Sequence, residues 1–445
     1  MLGRRHLLLG AVAAAAFAPS ALNAQVLTDE QRSALKTSRS DPTLAPDLLL
    51  PEKDMVWWRD AKFGVFVHWG LYAIPARGEW YMNNEKVSPE AYAKLAAEFN
   101  PRHYDPVSWA KLAKTAGARY MVMTARHHDG FALWDSPASH GHFDAMHSAA
   151  HRDLLAPFVT AVRGQGLRVG LYYSPLDWRF PGYFHPKELP ENAALLKRQT
   201  YGQVEELMRR YGHIDILWWD GGWLAHKGTD ADAAWFWEPD KLNRMVRRYQ
   251  PKILINPRSG WQGDYEEEEG GAPIKGPIRA RPWEKTFSLN GAWGYTPEDQ
   301  VMSTDQVVRH LADAIVRNGN VLANVGPDRD GIIPPKQTET LKGVGLWLKR
   351  HGRAVYGTRS GPLQPVDGVY GATTAGDSVF IHIVGWPADE LSLPPLPRKV
   401  VSARNLSGDV VKWTADAKGH TLSVPPSSRG SAVTVIELRL APKAA

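Results

Sequence analysis

The sequence predicts an α/β chain: an irregular (β/α)8-like TIM barrel followed by a C-terminal antiparallel β-sandwich. Three observations lead there. Short apolar runs alternate with amphipathic stretches from about residue 56 to 355, a rhythm that builds parallel strands with helical crossovers. Polar and aromatic residues recur at the carboxyl ends of those runs along the whole length, as in a closed barrel; an open sheet gathers them at one switch point. Beyond about residue 356, short alternating runs are punctuated by Pro, Gly and Ser, the texture of a small sandwich.

The runs at 63–68, 120–124, 169–173, 216–219, 253–256 and 321–324 read as buried strands, and 283–288 as a weaker seventh. Between them, 105–115, 153–163, 192–210 and 303–317 carry apolar residues three and four apart. The last is the clearest helix, with Val307, Leu311, Ala314 and Ile315 on one face and Ser303 and Thr304 at its start. In the terminal part, 379–384, 400–403 and 433–438 alternate as strands. The expected division is 1–24 signal peptide, 25–355 barrel and 356–445 sandwich.

Composition narrows the class. The chain has 445 residues, 43% hydrophobic and 22% charged, ordinary for a globular protein. Its formal charge is +6, and loss of the first 24 residues would remove Arg4 and Arg5 and leave +4. That is mild for this length and forms no basic stripe interleaved with aromatics, so nucleic acid is not an expected partner. The N-terminus, MLGRRHLLLGAVAAAAFAPSALNA, has a charged start, an apolar stretch and small residues near Ala24. It reads as an export signal with a twin-arginine flavour, cleaved to leave no membrane span, and a bacterial periplasm is the expected destination. There is no cysteine, hence no disulfide and no thiolate metal site.

The most pointed stretch is Ile214-Asp-Ile-Leu-Trp-Trp-Asp220-Gly-Gly-Trp223. An apolar strand ends in a carboxylate, where barrels place reactive groups; the alternative is an aspartate that caps the next turn. Trp218, Trp219 and Trp223 offer flat apolar faces to a sugar. Three more strand ends carry His68 with Glu79 and Trp80, then His127 and His128, then Tyr172. Imidazoles and carboxylates bind hydroxyls and indoles stack on pyranose C–H faces, so the expected ligand is polyhydroxylated. A metal-dependent hydrolase using His68, His127, His128 and Asp129 is the rival reading, although adjacent histidines in a regular strand face opposite sides. Retaining glycoside hydrolysis needs two carboxyl groups about 5–5.5 Å apart. Asp220 is the candidate nucleophile. Glu284, beside Trp283 at the start of an apolar run, is the preferred acid, because such surroundings raise a carboxyl pKa. The run Glu266-Glu-Glu-Glu269 reads as a solvated loop face and is the alternative.

The stretches FGVFVHWGLYAIP, GEWY, TARHHDGFALWDS, GLYYSPLDW, IDILWWDGGW, NGAWGYT and NVGPDRDGIIP, in this order from about residue 57 to 335, resemble the α-L-fucosidases of glycoside hydrolase family 29. The resemblance implies retaining, metal-free and cofactor-free cleavage of terminal α-L-fucose from fucosylated oligosaccharides or glycoconjugates. It implies Asp220 as nucleophile, and a fucose shell of His68, Glu79, Trp80, His127, His128, Tyr172, Trp218 and Arg258. Trp293 falls where the family sets an aromatic against the sugar methyl group. The acid/base varies in position within the family: one branch matches Glu284, others the region Glu266–Glu269. This chain has Asn256-Pro257-Arg258 where many members have Asn-Asp-Arg. A non-catalytic fucose-binding protein is the competing function.

Overall fold

The computed structural model describes residues 45–183, 186–221, 236–297 and 300–442. The expected signal segment 1–24 and Trp223 lie outside them. Eight parallel strands form one curled sheet: β1 (Phe63–Val67), β2 (Tyr120–Arg126), β3 (Arg168–Tyr173), β4 (Ile216–Trp219), β5 (Leu254–Ile255), β6 (Glu266–Glu269), β7 (Trp283–Ser288) and β8 (Gly319–Val325). Their order is β5-β4-β3-β2-β1-β8-β7-β6. Every neighbouring pair is laddered, so the sheet is open at one seam, between β5 and β6.

Alternation along each strand divides the side chains. Val65, Val67, Met121, Met123, Leu171 and Leu217 face outward into the main core, beneath the crossover helices Pro106–Thr115, Leu155–Gly164, Pro190–Arg210 and Thr304–Ile315. Phe66, Tyr120, Val122, Tyr172, Ile216, Trp218 and Leu322 fill the interior. Helix α1 (Glu52–Ala61) closes the amino end of the barrel with Met55, Trp58 and Ala61, and the Trp58 ring lies 4.5 Å from that of Tyr265. Burial of a side chain the size of Met55 contributes about 1.5–3 kcal/mol. The helix Thr304–Ile315 begins with a capping box, Ser303 and Gln306 each bonding the other's backbone.

One strand of the parallel sheet was not expected. Glu266–Glu269 is β6, parallel to β7, with Glu267 opposite Glu284. Four glutamates have poor strand propensity, and each face of this strand is stabilised by cations from elsewhere. Glu268 points outward to Lys285 Nζ at 2.7 Å and to Arg279, while Glu267 and Glu269 point inward to Arg258.

The C-terminal part is two antiparallel sheets. One has the order β13 (Val400–Asn405), β16 (Thr434–Leu440), β11 (Ser378–Ile383), β10 (Tyr370–Ala375), β9 (Arg359–Ser360). The other is β12 (Glu390–Leu393), β15 (Gly419–Ser423), β14 (Lys412–Asp416). Ile381, Ile436 and Leu438 meet Leu391, Leu393 and Leu422 in a separate core. No helix among the described residues is long and apolar enough to cross a membrane.

Candidate active site

Asp220 directly follows β4 on the same inward face as Ile216 and Trp218, so it stands in the carboxyl-end mouth of the barrel. Its Oδ1 accepts from Arg258 Nη1 and from the Gly221 backbone N–H, each at 2.7 Å. Its Oδ2 accepts from the Tyr172 hydroxyl at 2.7 Å, and His128 Nε2 is 3.4 Å away. Burial pushes this carboxyl up, but Arg258, His128 and the Tyr172 hydroxyl outweigh it and hold it at about 2. Asp220 is therefore ionised at neutral pH.

The histidines around it are neutral. Burial lowers His68 to about 3, His128 to about 4 and His127 well below the usual imidazole value. His68 Nδ1 lies 2.8 Å from Asn324 Oδ1. The Asn324 amide nitrogen donates to the Trp293 carbonyl at 2.8 Å, so its oxygen is the acceptor. His68 thus carries its proton on Nδ1 and offers Nε2 as an acceptor. His128 Nδ1 meets Ser174 Oγ at 2.6 Å. His127 stacks on Tyr172 at 5.7 Å, and its buried Nδ1 has no hydrogen-bond partner among the described residues.

The walls come from loops. Glu79, fully buried, accepts the backbone N–H groups of Trp293 at 2.9 Å and Gly294 at 2.8 Å, which fastens the loop after β1 to the loop after β7. The Trp293 ring then lies 5.0 Å from His68. Trp80 packs 5.3 Å from His128 and 5.0 Å from Trp178. Trp178 was not foreseen; its signal was an aromatic just past the β3 end, in Ser174-Pro-Leu-Asp-Trp178. The neighbouring Asp177 is buried and ion-paired to Arg126 and Arg179. Gly130 has φ +83°, and a Cβ there would sit 2.5 Å from an Asp177 oxygen, so the turn after the paired histidines requires glycine.

Arg258 sits on the turn Pro257–Ser259, beside the open seam. Its Nη1 is on Asp220, its Nε donates to Glu267 Oε2 at 2.7 Å, and its Nη2 donates to both Glu267 and Glu269. The Trp218 ring lies 5.0 Å beneath the guanidinium. His68, His127, His128, Tyr172, Trp218 and Arg258 therefore surround Asp220, with Glu79, Trp80 and Trp293 behind them. Trp219 does not join them: it points outward into the main core, its Nε1 3.2 Å from Asn243 Oδ1.

The role expected for Glu284 does not fit its place. It is the second residue of β7, near the amino end of the barrel, fully buried. Its carboxyl accepts from the Tyr120 hydroxyl at 2.6 Å and from Trp218 Nε1 at 3.3 Å. The Trp218 indole thus separates it from Arg258 and the mouth. Burial does raise this carboxyl to about 7, against those two hydrogen bonds, but at the wrong end of the barrel for proton delivery. Since the folded value exceeds the ordinary 4.5, the stabilisation from Glu284 is complete below pH 4.5 and is lost as pH rises through about 7. Glu284→Gln should reduce that loss in denaturant titrations between about pH 5 and pH 8. Glu267 and Asp129, which burial also raises to about 7 and about 6, contribute to the same loss. An unchanged slope would mean that Glu284 is ionised throughout.

Among the described residues, His127, His128 and Asp220 bring ligand atoms within 4.8 Å of one another, close enough to hold an ion. Arg258 and Tyr172 already engage that carboxylate.

A barrel mouth with an ionised carboxylate, a second carboxylate on the same arginine, neutral imidazoles and indole walls defines a glycoside hydrolase. Residues 31–353 match the α-L-fucosidase family. The tissue α-L-fucosidase of Mus musculus is 30% identical over 411 residues, covering 83% of this chain and 87% of its own. Among solved structures, α-L-fucosidase isoenzyme 1 from Paenibacillus thiaminolyticus is 34% identical with a TM-score of 0.77, over 88% of this chain and 99% of that one. A Bacteroides thetaiotaomicron α-L-fucosidase, trapped as a covalent intermediate with 2-fluoro-fucosyl fluoride, is 25% identical with a TM-score of 0.79, over 91% and 99%. The chain belongs to the α-L-fucosidases of glycoside hydrolase family 29.

Proposed function

We propose that this chain removes terminal α-L-fucose from fucosylated oligosaccharides or glycoconjugates with retention of configuration, Asp220 being the nucleophile. The observation that carries the reading is the Asp220 carboxylate, held ionised by Arg258 and the Tyr172 hydroxyl in a pocket of neutral histidines and tryptophans. An Asp220 oxygen attacks the anomeric carbon, the bond to the aglycone oxygen breaks, and that oxygen takes a proton from a carboxylic acid. Water then attacks the same carbon, gives its proton to the resulting carboxylate, and the ester to Asp220 breaks. His68, His127, His128 and Glu79 suit the sugar hydroxyls, and Trp80, Trp218 and Trp293 its apolar faces.

For the acid/base we assign Glu269. It ends β6 at the mouth, and its side chain is 36% exposed, within reach of a leaving group and of water. Arg258 Nη2 holds it while Nη1 holds Asp220, so one planar guanidinium spans the two carboxyl groups, a spacing that suits the about 5–5.5 Å of retaining enzymes. Glu268 faces away to Lys285, and Glu267 is 4% exposed.

Release of a chromogenic phenol from an aryl α-L-fucoside tests the activity, and NMR of the first-formed sugar tests retention. Absence of turnover would favour a fucose-binding protein without catalysis. EDTA is expected to leave the rate unchanged; loss on chelation with recovery on adding zinc would revive the metal reading at His127, His128 and Asp220. Export to a bacterial periplasm, directed by residues 1–24, is part of the proposal and rests on the charged and apolar pattern of that segment. Cell fractionation tests it.

A further inference from the structure

We propose that Glu267 is a positioning residue that clamps Arg258, so that one nitrogen of the guanidinium stays on the nucleophile. The inference rests on the reading of Asp220 as nucleophile. It begins with the open seam. Between β5 and β6 no strand ladder holds the backbone, and the turn Pro257–Ser259 that carries Arg258 follows directly from that edge. Something else must fix the guanidinium.

Glu267 is built for that. Its two oxygens take Nε and Nη2 of Arg258, the paired contact that fixes the plane of the guanidinium as well as its position. With that plane set, the remaining nitrogen, Nη1, is directed at Asp220 Oδ1. Glu267 is itself tied to the strand that bears the nucleophile. Asn256 Nδ2 lies 3.3 Å from Glu267 Oε2 and donates to the Trp219 carbonyl at 2.9 Å, while Asn256 Oδ1 accepts the Trp219 N–H at 2.7 Å. From below, the Trp218 ring supports the same guanidinium. The clamp is also out of reach of a leaving group: the Glu267 side chain is 4% exposed, against 36% for Glu269. The two inward glutamates of one short strand thus divide the work, one gripping the arginine and the other facing the mouth.

The test is a kinetic series on the full enzyme with two α-L-fucosides, one with an activated phenol and one with a poor leaving group. Glu267→Ala should lower kcat/KM about 100-fold, the scale of a small displacement of a catalytic group. The loss should fall in kcat, by the same factor for both substrates, and azide should not restore it. Glu267→Gln keeps one acceptor oxygen and the shape, so it should fold as the wild type does and recover part of the loss. The decisive comparison is Arg258→Ala with and without Glu267→Ala. A clamp with nothing left to hold adds no further loss, so the double variant should be no slower than Arg258→Ala alone. Additive losses would overturn the proposal. So would a leaving-group-dependent loss rescued by azide, which makes Glu267 the proton donor, or a loss confined to KM. A wild type that turns over no fucoside, or an active Asp220→Ala, sinks the nucleophile reading and this one together. An inactive Asp220→Ala beside a Glu267→Ala of wild-type rate overturns this one alone.

Discussion

Asp220→Ala is expected to lower turnover of an aryl α-L-fucoside by roughly four orders of magnitude or more, the scale seen when a covalent nucleophile is removed. The fold should survive. Deleting the carboxylate leaves Arg258 paired with Glu267 and Glu269, so no uncompensated charge is buried. Tyr172 and His128 lose one partner each, but His128 retains Ser174 at 2.6 Å. Unfolding measured by near-UV circular dichroism should therefore shift little while the rate collapses. A variant that keeps more than about a tenth of the wild-type rate would show that the nucleophile lies elsewhere.

The second large effect belongs to Glu269. Loss of a general acid matters most where the leaving oxygen most needs a proton. Glu269→Ala should slow a fucoside with a poor leaving group by about 100- to 10,000-fold, the usual contribution of general acid–base catalysis, and an activated phenol far less. Azide should accelerate the variant on the activated substrate and yield fucosyl azide, since a small anion needs no general base. Glu284→Gln should show neither effect, because its carboxyl lies behind Trp218. If Glu284→Gln gives both signatures and Glu269→Ala gives neither, the proton comes from β7 by a route that the present geometry does not provide.

The carboxylate pair shows where a sequence reading reaches its limit. Glu284 has the local signs of a raised carboxyl, an adjacent tryptophan and an apolar run, and its carboxyl is indeed raised to about 7. Environment and location are different properties. Whether a strand residue sits near the amino or the carboxyl end of the barrel depends on where the strand starts, and β7 starts at Trp283, one residue before it. The glutamate run failed for the opposite reason. Propensity and solvation argue for a loop, and only Lys285 and Arg279 on one side and Arg258 on the other make a strand of it.

The apolar runs needed no tertiary context. Each is short, bounded and rich in aliphatic or aromatic residues, and β1, β2, β3, β4 and β8 lie where those runs fall, because burial of a continuous apolar segment is a local property of the chain. The same holds for the capped helix Thr304–Ile315 and for an aspartate set at the end of a strand. What only the curled sheet decided is which side chains meet. An unladdered seam between β5 and β6 lets Arg258 face Asp220, Glu267 and Glu269 at once. Those four residues span nearly fifty positions of sequence, and charges that far apart along a chain are paired by the curvature of the sheet, which no local pattern records.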